Sequence, residues 1–470
     1  MYRTVLFAVI VLTLGFSSCK KTPLTEDSSN RLSFSQNELV FDTVFTSRST
    51  VTRRFQVFNK NSRDLLIDEI RLMGADESSY RINIDGNPNN SERDYRIAAS
   101  DSFYIFVEAT IDPNNENQPF VVLDSIQFSY NNNRDFVKLK SWGRNAEIYN
   151  RARISGAETW QPGKPILIVD YVIVDSNSTL NILPGTEVYL TGGSGLYVFG
   201  SLQINYNNGN YLDADPVNFS GDRVDEDYED LPGQYYGIRL LPSSTQNVIN
   251  NLHLTEASIG ITVDSLSNDQ NPKLIMRNSI IENVSTAAVQ SFTGDIFMVN
   301  CILSNTCGNL FFSQFGGNYQ FVHCNFDNSF CDCGSQNPAI VMANDPFVNP
   351  GISEKQFDLN ASIINTIIWG EFDDEIGFVE LKQNDVLVLS NNIIKISEGQ
   401  GLEERNLLND DPAWVDNCQL DFSLEKNSPA MNSGISLDSL IQGTPSIFDE
   451  DFNGNTRNRE SPDIGAIEQN

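Results

Sequence analysis

The stretch IFMVNCILSNTCGNLFFSQFGGNYQFVHCNFDNSFCD, residues 296–332, contains nearly the same phrase twice. VNCIL at 299–303 returns as VHCNF at 322–326, which is 23 residues further on. Aligning related phrases gives intervals of 27, 22, 23, 42 and 26 residues between Asn251, Asn278, Asn300, His323, Asn365 and Asn391. A period in the low twenties built from short strand-like runs indicates a solenoid in which each repeat is one coil. The 42-residue step is either two coils or one coil with an insertion at about 333–359.

The repeated polar residue predicts an asparagine ladder at a turn, where stacked amides satisfy backbone groups that a tight corner leaves unpaired. His323 takes one place in this column, so its predicted role is structural. Residues two apart share a face of a strand, so Cys301 and Cys324 are expected to point inward with the residues two positions before and after them. One inward column is then filled by small or polar residues: Ser279, Cys301, Cys324, Thr366 and Asn392.

Cys301 and Cys324 would lie on neighbouring coils ~4.8 Å apart, which is within disulfide range. They are either stacked buried thiols or a bridge between coils. Buried thiols are the favoured interpretation because a free cysteine behaves as a small hydrophobe. Cys331 and Cys333 do not complete a zinc set, and a disulfide on a loop is the preferred prediction for either of them.

Length and charge set the broad class of the protein. The chain has 470 residues, which exceeds the usual size of a single core, so at least two domains are expected. It carries 31 Lys and Arg against 62 Asp and Glu. Nucleic acid is excluded as a partner because binding it requires a clustered basic face. An acidic surface keeps a large sheet protein solvated and also suits divalent cations.

The first nineteen residues, MYRTVLFAVIVLTLGFSSC, form a predicted targeting segment. Arg3 precedes an apolar run at 4–16, which is too short to span a bilayer and has the length of a signal-peptide core. The segment resembles a bacterial lipoprotein signal, although Phe16 stands where Leu is commoner. The resemblance implies a lipidated Cys19 at the outer membrane, with residues 20–30 as a tether. The alternative is an ordinary secretory signal with an accidental cysteine.

Residues 31–148 alternate apolar and polar positions in about seven short runs separated by turn residues, which predicts an antiparallel sandwich. The run VTRRFQVFNKNSRDLLIDEIRLMG at 51–74 resembles the immunoglobulin-like modules of bacterial surface proteins. The resemblance implies a spacer, with partner binding as the alternative. Because the segment holds no cysteine, the inter-sheet disulfide of antibody domains is not expected.

Residues 160–470 are predicted to form the β-helix. TLNILPGT at 179–186 resembles the first coils of right-handed parallel β-helices of the pectin-lyase-like class. The closing region, about 405–470, resembles the choice-of-anchor Q family, and NTIIWGE at 365–371 fits it apart from Glu371. The family marks are Asp411-Pro412, Ser428-Pro429-Ala430 with Gly434, Asp451, Gly454 and Arg457, and Asp463-Ile464-Gly465-Ala466 with Glu468. The fold class is therefore all-β: an immunoglobulin-like sandwich followed by a right-handed parallel β-helix.

Candidate ligand residues are exposed aromatics, because sugar faces stack on rings. They are Tyr235, Tyr236 and Trp369, and packing in the core or at an edge is the alternative for each. A dense acidic loop is the candidate Ca²⁺ site, with a solvated loop as the alternative. Its carboxylates are Asp222, Asp225, Glu226, Asp227, Glu229 and Asp230. No other cofactor is required.

Catalysis is not assigned to any residue. Cleavage of uronate chains by β-elimination needs a base and a positive charge, yet the chain has two histidines and His253 is expected to face outward alone. Hydrolysis needs two carboxylates on one face. The sequence favours a lipid-anchored cell-envelope protein that binds glycan or another surface component without catalysis. The alternatives are a polysaccharide lyase or glycoside hydrolase, or a structural envelope component.

Overall fold

The computed structural model divides the chain into two compact units, Met1–Asn145 and Ala146–Asn470. The predicted leader with Cys19 lies outside the described residues. Among the residues that the structure describes, no helix is long and apolar enough to cross a membrane. The structure describes residues 23–469 apart from 47, 48, 51, 115–118, 208, 213, 214, 225–227, 229, 269, 270, 330, 332, 334, 336, 345–356, 398–401, 403, 404, 437 and 439–444.

The first unit is a two-sheet β-sandwich whose inner faces share one hydrophobic core. One sheet is antiparallel and contains Ser33–Phe34, Arg53–Phe58, Tyr80–Ile84 and Ser102–Ala109. The other sheet contains Leu24–Thr25, Glu38–Phe45, Asp64–Leu72, Ser91–Ile97, Phe120–Tyr130 and Asn133–Arg144. A short 3₁₀ helix, Ala75–Glu77, connects the two sheets.

The second sheet of the sandwich contains two parallel pairs beside its antiparallel ones, a detail that the prediction of an antiparallel sandwich did not include. Leu24–Thr25 lies within the predicted tether and pairs in parallel with Asp64–Leu72. Glu38–Phe45 pairs in parallel with Asn133–Arg144. The polar/apolar alternation of a strand is the same in either direction, so the sequence pattern does not distinguish parallel from antiparallel neighbours.

The second unit is a parallel β-helix, as predicted, and each regular coil contributes one strand to each of three stacked ladders. Ladder A contains Ala157–Trp160, Thr179–Ile182, Ser201–Ile204, Asn247–Asn250, Leu274–Arg277, Asp295–Val299, Gly317–Val322, Leu359–Ile364 and Val386–Ser390. Ladder B contains the first half of Ile166–Val174, then Glu187–Leu190, Val217–Gly221, Leu252–Leu254, Ile280–Ile281, Ile302–Ser304, Asn325–Asn328, Ile367–Gly370, Ile393–Ile394 and Leu407–Leu408. Ladder C contains the second half of Ile166–Val174, then Gly195–Val198, Gly237–Leu240, Ile259–Asp264, Ala287–Phe292, Asn309–Gln314, Ile340–Ala343 and Ile376–Val379. Glu147–Ile154 starts the solenoid by pairing along the whole of Ile166–Val174.

The corner between ladders A and B is the predicted column of asparagines. Its residues adopt the left-handed conformation, with φ of 48° at Asn251 and Asn278, 51° at Asn300 and 55° at Asn391. A single left-handed residue turns the chain sharply, and asparagine tolerates that conformation better than most residues. His323 takes the same conformation and is buried, with Asn365 Nδ2 3.2 Å from its Nε2.

The inward column is also as predicted. Its five residues are buried in the interior of the coils, and Cys301 and Cys324 are free thiols. One expectation was wrong: Val299 and Val322 do not point inward but join a separate outer cluster with Phe448. The left-handed residue between Val299 and Cys301 shifts the alternation, so residues on either side of the corner no longer share a face.

The 42-residue step is one coil. Gly317–Val322 pairs directly with Leu359–Ile364, and Asn309–Gln314 pairs with Ile340–Ala343. The extra residues therefore lie in the connections on either side of Ile340–Ala343 in ladder C.

The closing region returns along the outside of the coils. It packs against apolar residues on the outer face of ladder B. Ile302 and Ile367 of that ladder contact Phe422 and Ile464 of the closing region, respectively. It contains a hairpin of Trp414–Asp416 and Asp421–Leu424 joined by the 3₁₀ turn Asn417–Gln419, and a later 3₁₀ helix at Pro445–Phe448. The region thus covers one edge of the solenoid.

Candidate functional site

The predicted ligand residues separate into different environments. Tyr235 is 1% exposed and its hydroxyl donates to the carbonyl oxygen of Thr255 at 2.7 Å, so this ring belongs to the core. The candidate role of Tyr235 in ligand stacking is therefore wrong, because a buried ring offers no face to a sugar. Tyr236 is 61% exposed, and Trp369 is half-buried and lines a cleft.

The predicted calcium loop is only partly described. Asp225, Asp227 and Glu229, with Glu226, lie outside the described residues. Asp222 and Asp230 are described, and Asp230 Oδ1 accepts a hydrogen bond from Asn283 Nδ2 at 3.2 Å. Among the described residues, no group of three or more His, Cys, Asp or Glu side chains could hold a metal ion.

Three of the motif residues of the closing region, Asp451, Arg457 and Glu468, form a buried polar network. Arg457 is 4% exposed and donates to the carbonyl oxygens of Gly465 at 3.1 Å and Ala466 at 2.8 Å. Its Nη1 lies 3.3 Å from Glu468 Oε2. The carboxylate of Asp451 accepts backbone N–H groups, including that of Glu468 at 2.9 Å. These three residues therefore fasten the closing region.

The outer face of ladder B carries a row of chemically distinct side chains. Ser304, Asp327 and Trp369 occupy the same register position on three successive strands. The residues that precede them on each strand point into the core, so these three face outward. Neighbouring strands lie ~4.8 Å apart, which places the three side chains on one line parallel to the solenoid axis.

The hairpin of the closing region lies opposite this row. A disulfide joins Cys418 of the hairpin to Cys331, which follows the ladder strand that carries Asp327. A second disulfide, Cys307–Cys333, ties the same loop to the preceding coil. Asn417 Nδ2 donates to Asp327 Oδ2 at 2.7 Å. The predicted loop disulfide is thus confirmed for both Cys331 and Cys333, which have different partners.

A cleft of about 530 Å³ opens between the row and the hairpin. Trp369 lines it from the ladder and Trp414 from the hairpin. Trp414 is held in place by the ring of Phe422, whose centroid lies 5.1 Å away at a near-perpendicular angle. The full lining is Ser329, Trp369, Asp411, Ala413, Trp414, Asn417, Glu425, Asn427 and Pro429.

The cleft is acidic at its rim and has no basic side chain in the lining described above. Asp411 and Glu425 are exposed. Behind the rim, burial raises the pKa of Asp327 above its ordinary value, while hydrogen bonds from Ser329 and Asn417 act in the opposite direction. The Lys395 ammonium lies 5.4 Å from the centroid of the Trp369 ring and stabilises the orientation of that ring.

A smaller cavity of about 250 Å³ lies on the other side of Asn417. It is lined by Glu282, whose Oε1 is 2.7 Å from His253 Nε2, and by Ser304. The Ser304 hydroxyl is buried and has no hydrogen-bond partner among the described residues. His253 therefore faces outward, as predicted, and its partner is a carboxylate.

Sequence reasoning found Trp369 and missed its counterpart Trp414. The two tryptophans are 45 positions apart in the chain and meet only because the closing region returns over ladder B. The sequence feature that could have drawn attention to Trp414 is the Asp411-Pro412 turn, because Trp414 follows Pro412 by two residues. That motif identified a family resemblance and gave no information about which face of the coil it would cover.

No protein-family model and no curated protein matches this chain. Among solved structures, it is similar to the catalytic unit of a GH87 alpha-1,3-glucanase from Streptomyces thermodiastaticus, at 8% identity over 72% of this chain and 78% of the other, with a TM-score of 0.25. A PapD-like domain of human CEP192 matches at 8% identity over 28% of this chain and 96% of the other, with a TM-score of 0.18. A protein of unknown function from Porphyromonas gingivalis matches at 12% identity over 27% of this chain and 60% of the other, also with a TM-score of 0.18. These values are too low to assign a family or a function.

Proposed function

We propose that this protein is a lipid-anchored component of a bacterial envelope that binds glycan in the cleft between ladder B and the hairpin. The observation that carries the proposal is the meeting of Trp369 and Trp414 in one cleft with carboxylate and amide side chains. Aromatic rings offer apolar faces on which sugars stack, and a few polar groups around them fix orientation. Asn417 and Asn427 supply such groups, as do Asp411 and Glu425.

The glycan class that fits is neutral or positively charged. Asp411 and Glu425 stand at the rim, and the cleft lining contains no Lys, Arg or His among the described residues. A uronate polymer would be repelled by the rim carboxylates, because like charges close together are unfavourable and the Lys395 ammonium lies beside the Trp369 ring and not among the lining side chains. A lyase acting on uronates is therefore disfavoured by the same geometry.

Binding without catalysis is supported by the state of the innermost carboxylate. Asp327 is 1% exposed, and its oxygens accept from Ser329 Oγ at 2.6 Å and from Asn417 Nδ2 at 2.7 Å. A carboxylate enclosed in this way does not reach a glycosidic bond. The hydrolase alternative would have to use the exposed pair at the rim.

The remaining parts of the proposal extend the resemblances found in the sequence. The sandwich is assigned to the immunoglobulin-like class and acts as a spacer. The β-helix is assigned to the choice-of-anchor Q type, and the acyl chains on Cys19 hold the protein at the outer membrane. These assignments are independent of the cleft, so each can fail without the other.

The test is a glycan-array and depolymerisation screen on the chain from Lys20 to Asn470. We expect retention of neutral or amino-sugar glycans without new reducing ends. Trp369→Ala should weaken binding by up to about tenfold through the lost stacking. Tyr236→Ala is the matched control, because Tyr236 is exposed and is not part of the cleft lining.

Two results would overturn this function. Release of reducing ends, abolished by Asp411→Asn or Glu425→Gln, would establish a hydrolase. Glycan binding that is lost in Tyr236→Ala and retained in Trp369→Ala would place the site elsewhere.

A further inference from the structure

Charge is distributed unequally between the two units. Residues 1–145 hold 17 of the 31 Lys and Arg and 18 of the 62 Asp and Glu. The sandwich unit is therefore nearly neutral, whereas the β-helix unit carries almost all of the net charge of −31. The positive charges of the sandwich are therefore not outweighed by an excess of Asp and Glu in the same unit, whereas those of the second unit are.

The last strand of the sandwich, Asn133–Arg144, presents basic and aromatic side chains on its outer face. Val137, Leu139 and Ser141 on this strand are buried and point inward. The alternate positions face outward and carry Arg134, Phe136, Lys138, Lys140, Trp142 and Arg144. We call this set, together with Val121 and Leu123 of the neighbouring strand, the basic face.

Apolar groups on the basic face are well exposed. Leu123 is 70% exposed, Val121 is 51% exposed and Phe136 is 46% exposed. Leu123 pairs with Lys140 across the two strands, and Val121 pairs with Trp142. Exposed apolar groups that lie together and are surrounded by polar side chains mark sites of contact with another protein or with a membrane.

The lysines of the basic face have little competition from acidic neighbours. The Lys140 ammonium lies 4.4 Å from the centroid of the Trp142 ring. Within the described side chains, neither Lys138 nor Lys140 forms an ion pair. Glu38 is the residue opposite Lys138 in the backbone register of the two parallel strands. Tryptophan with nearby lysine is the combination that occupies the headgroup region of a bilayer.

The N-terminal segment leads directly to this sheet. Leu24–Thr25 is one of its strands, and Asn133 Nδ2 donates to the carbonyl oxygen of Ser28 at 2.9 Å, beside the Arg134 end of the basic face. Cys19 lies five residues before Leu24, so a fully extended chain reaches at most ~18 Å. A lipid on Cys19 would keep the sheet within that distance of the bilayer.

We propose that the basic face lies against the anionic headgroups of a lipid bilayer. The inference rests on the proposed function for the anchor, but the face itself supplies the attraction. Each lysine near an anionic surface contributes about fivefold to binding, and Trp142, Val121 and Leu123 add burial at the headgroup level. The anchor and the face together would hold the sandwich flat on the membrane.

The experiment is co-sedimentation of the chain from Lys20 to Asn470, which carries no acyl chain, with two kinds of vesicle. One kind is phosphatidylcholine alone, and the other is equal parts phosphatidylcholine and phosphatidylglycerol. We expect binding to the anionic vesicles alone, weakening as salt is raised. Lys138→Ala with Lys140→Ala should lower the affinity by about 25-fold.

The control pair is Lys164→Ala with Lys426→Ala, two exposed lysines of the β-helix unit, and it should bind as the unchanged chain does. Trp142→Phe should keep the salt-sensitive binding. It should also remove the part of the tryptophan fluorescence that brominated lipids quench in the unchanged chain. Equal binding to both vesicles, no binding, or a loss in the control pair would overturn the proposal. So would self-association through the basic face in place of vesicle binding. Glycan retention is measured in a separate experiment. A failure of the membrane proposal would therefore not affect the proposal that the cleft binds glycan.

Discussion

Arg457 Nη2 donates a hydrogen bond to Asn300 Oδ1 at 3.0 Å, although 157 residues separate them in the chain. Asn300 is a corner residue of the solenoid, and Arg457 belongs to the closing region. A second bond runs from Asn300 Nδ2 to the carbonyl oxygen of Glu450 at 2.8 Å. Asn300 thus adopts the left-handed conformation of the corner and also binds the closing region through its side chain. The asparagine column therefore has a second structural role.

Removal of the Arg457 guanidinium should strongly destabilise the closing region. Arg457→Met leaves Glu468 buried without its cation, and breaking a buried pair in this way costs about 3–5 kcal/mol. We expect the midpoint of urea unfolding to fall accordingly and amide exchange of residues 447–468 to rise. Arg459→Met is the matched control, because Arg459 pairs with Asp449 at the surface and such pairs contribute about 0–1 kcal/mol. Equal effects of the two variants would contradict the assignment.

Lys273 gives a prediction about alkaline pH. Its side chain is buried and its ammonium donates to the carbonyl oxygens of Pro242 at 3.0 Å and Asp264 at 2.7 Å. Burial lowers the pKa of Lys273 to about 8, below the 10.5 of an unfolded lysine. Between these values the unfolded chain binds more protons, so the free energy of unfolding should rise with pH from about 8 to 10.5.

The measurement for Lys273 is urea unfolding at intervals across that range. The contribution should amount to about 1–3 kcal/mol and should be missing in Lys273→Met. Lys164→Met serves as the control, since Lys164 is exposed. An unchanged slope in Lys273→Met would show that the buried ammonium does not titrate there.

Asp327 gives the opposite prediction at acidic pH. Burial raises the pKa of its carboxyl above 3.8, so the unfolded chain loses this proton first as the pH rises. The stabilising contribution is complete below pH 3.8 and is lost as the pH rises through the pKa of the folded state. Asp327→Asn should therefore flatten the fall of the melting temperature as the pH rises above 3.8. Asp416→Asn, at an exposed position of the hairpin, should leave that slope unchanged.

The Cys331–Cys418 disulfide predicts a local effect. Replacing both cysteines by serine should raise amide exchange in residues 414–424 and weaken glycan retention several-fold, because Trp414 would no longer be held over ladder B. Exchange in the strands of ladder A should stay as it was. The Cys307–Cys333 pair, replaced in the same way, is the comparison, since it joins coils and does not hold the hairpin. Unchanged exchange in the hairpin would show that packing of Trp414 on Phe422 holds it alone.

The repeat of one phrase was enough to predict the coils, the corner residues and the buried cysteines. Those features depend on local geometry, because each corner repeats the same backbone conformation in every coil. Val299 and Val322 were assigned to the wrong face because the alternation rule does not continue through a left-handed residue. Tyr235 and Tyr236 are adjacent, and the sequence alone does not say which of the two rings is buried.

The cleft was beyond reach of the same reasoning. Trp369 and Trp414 become neighbours only through the path of the closing region, which depends on distant contacts such as that between Gly465 and ladder B. At Gly465, φ is 103°, and an added Cβ would lie 2.6 Å from Asn325 Oδ1. Such a contact is fixed by three-dimensional packing and leaves no period in the sequence.

The closing region also restricts the number of coils that can lie between the corners it contacts. It bonds to the corner at Asn300 through Arg457, to that at Asn365 through Ile435, whose backbone N–H reaches Asn365 Oδ1 at 2.8 Å, and to that at Asn391 through Ser433. An added or missing coil between these corners would separate at least one of these contacts from its partner. Homologous chains that gain or lose coils should do so before Asn300, so the part of the solenoid that carries the cleft would be inherited as one block while the rest varies in length.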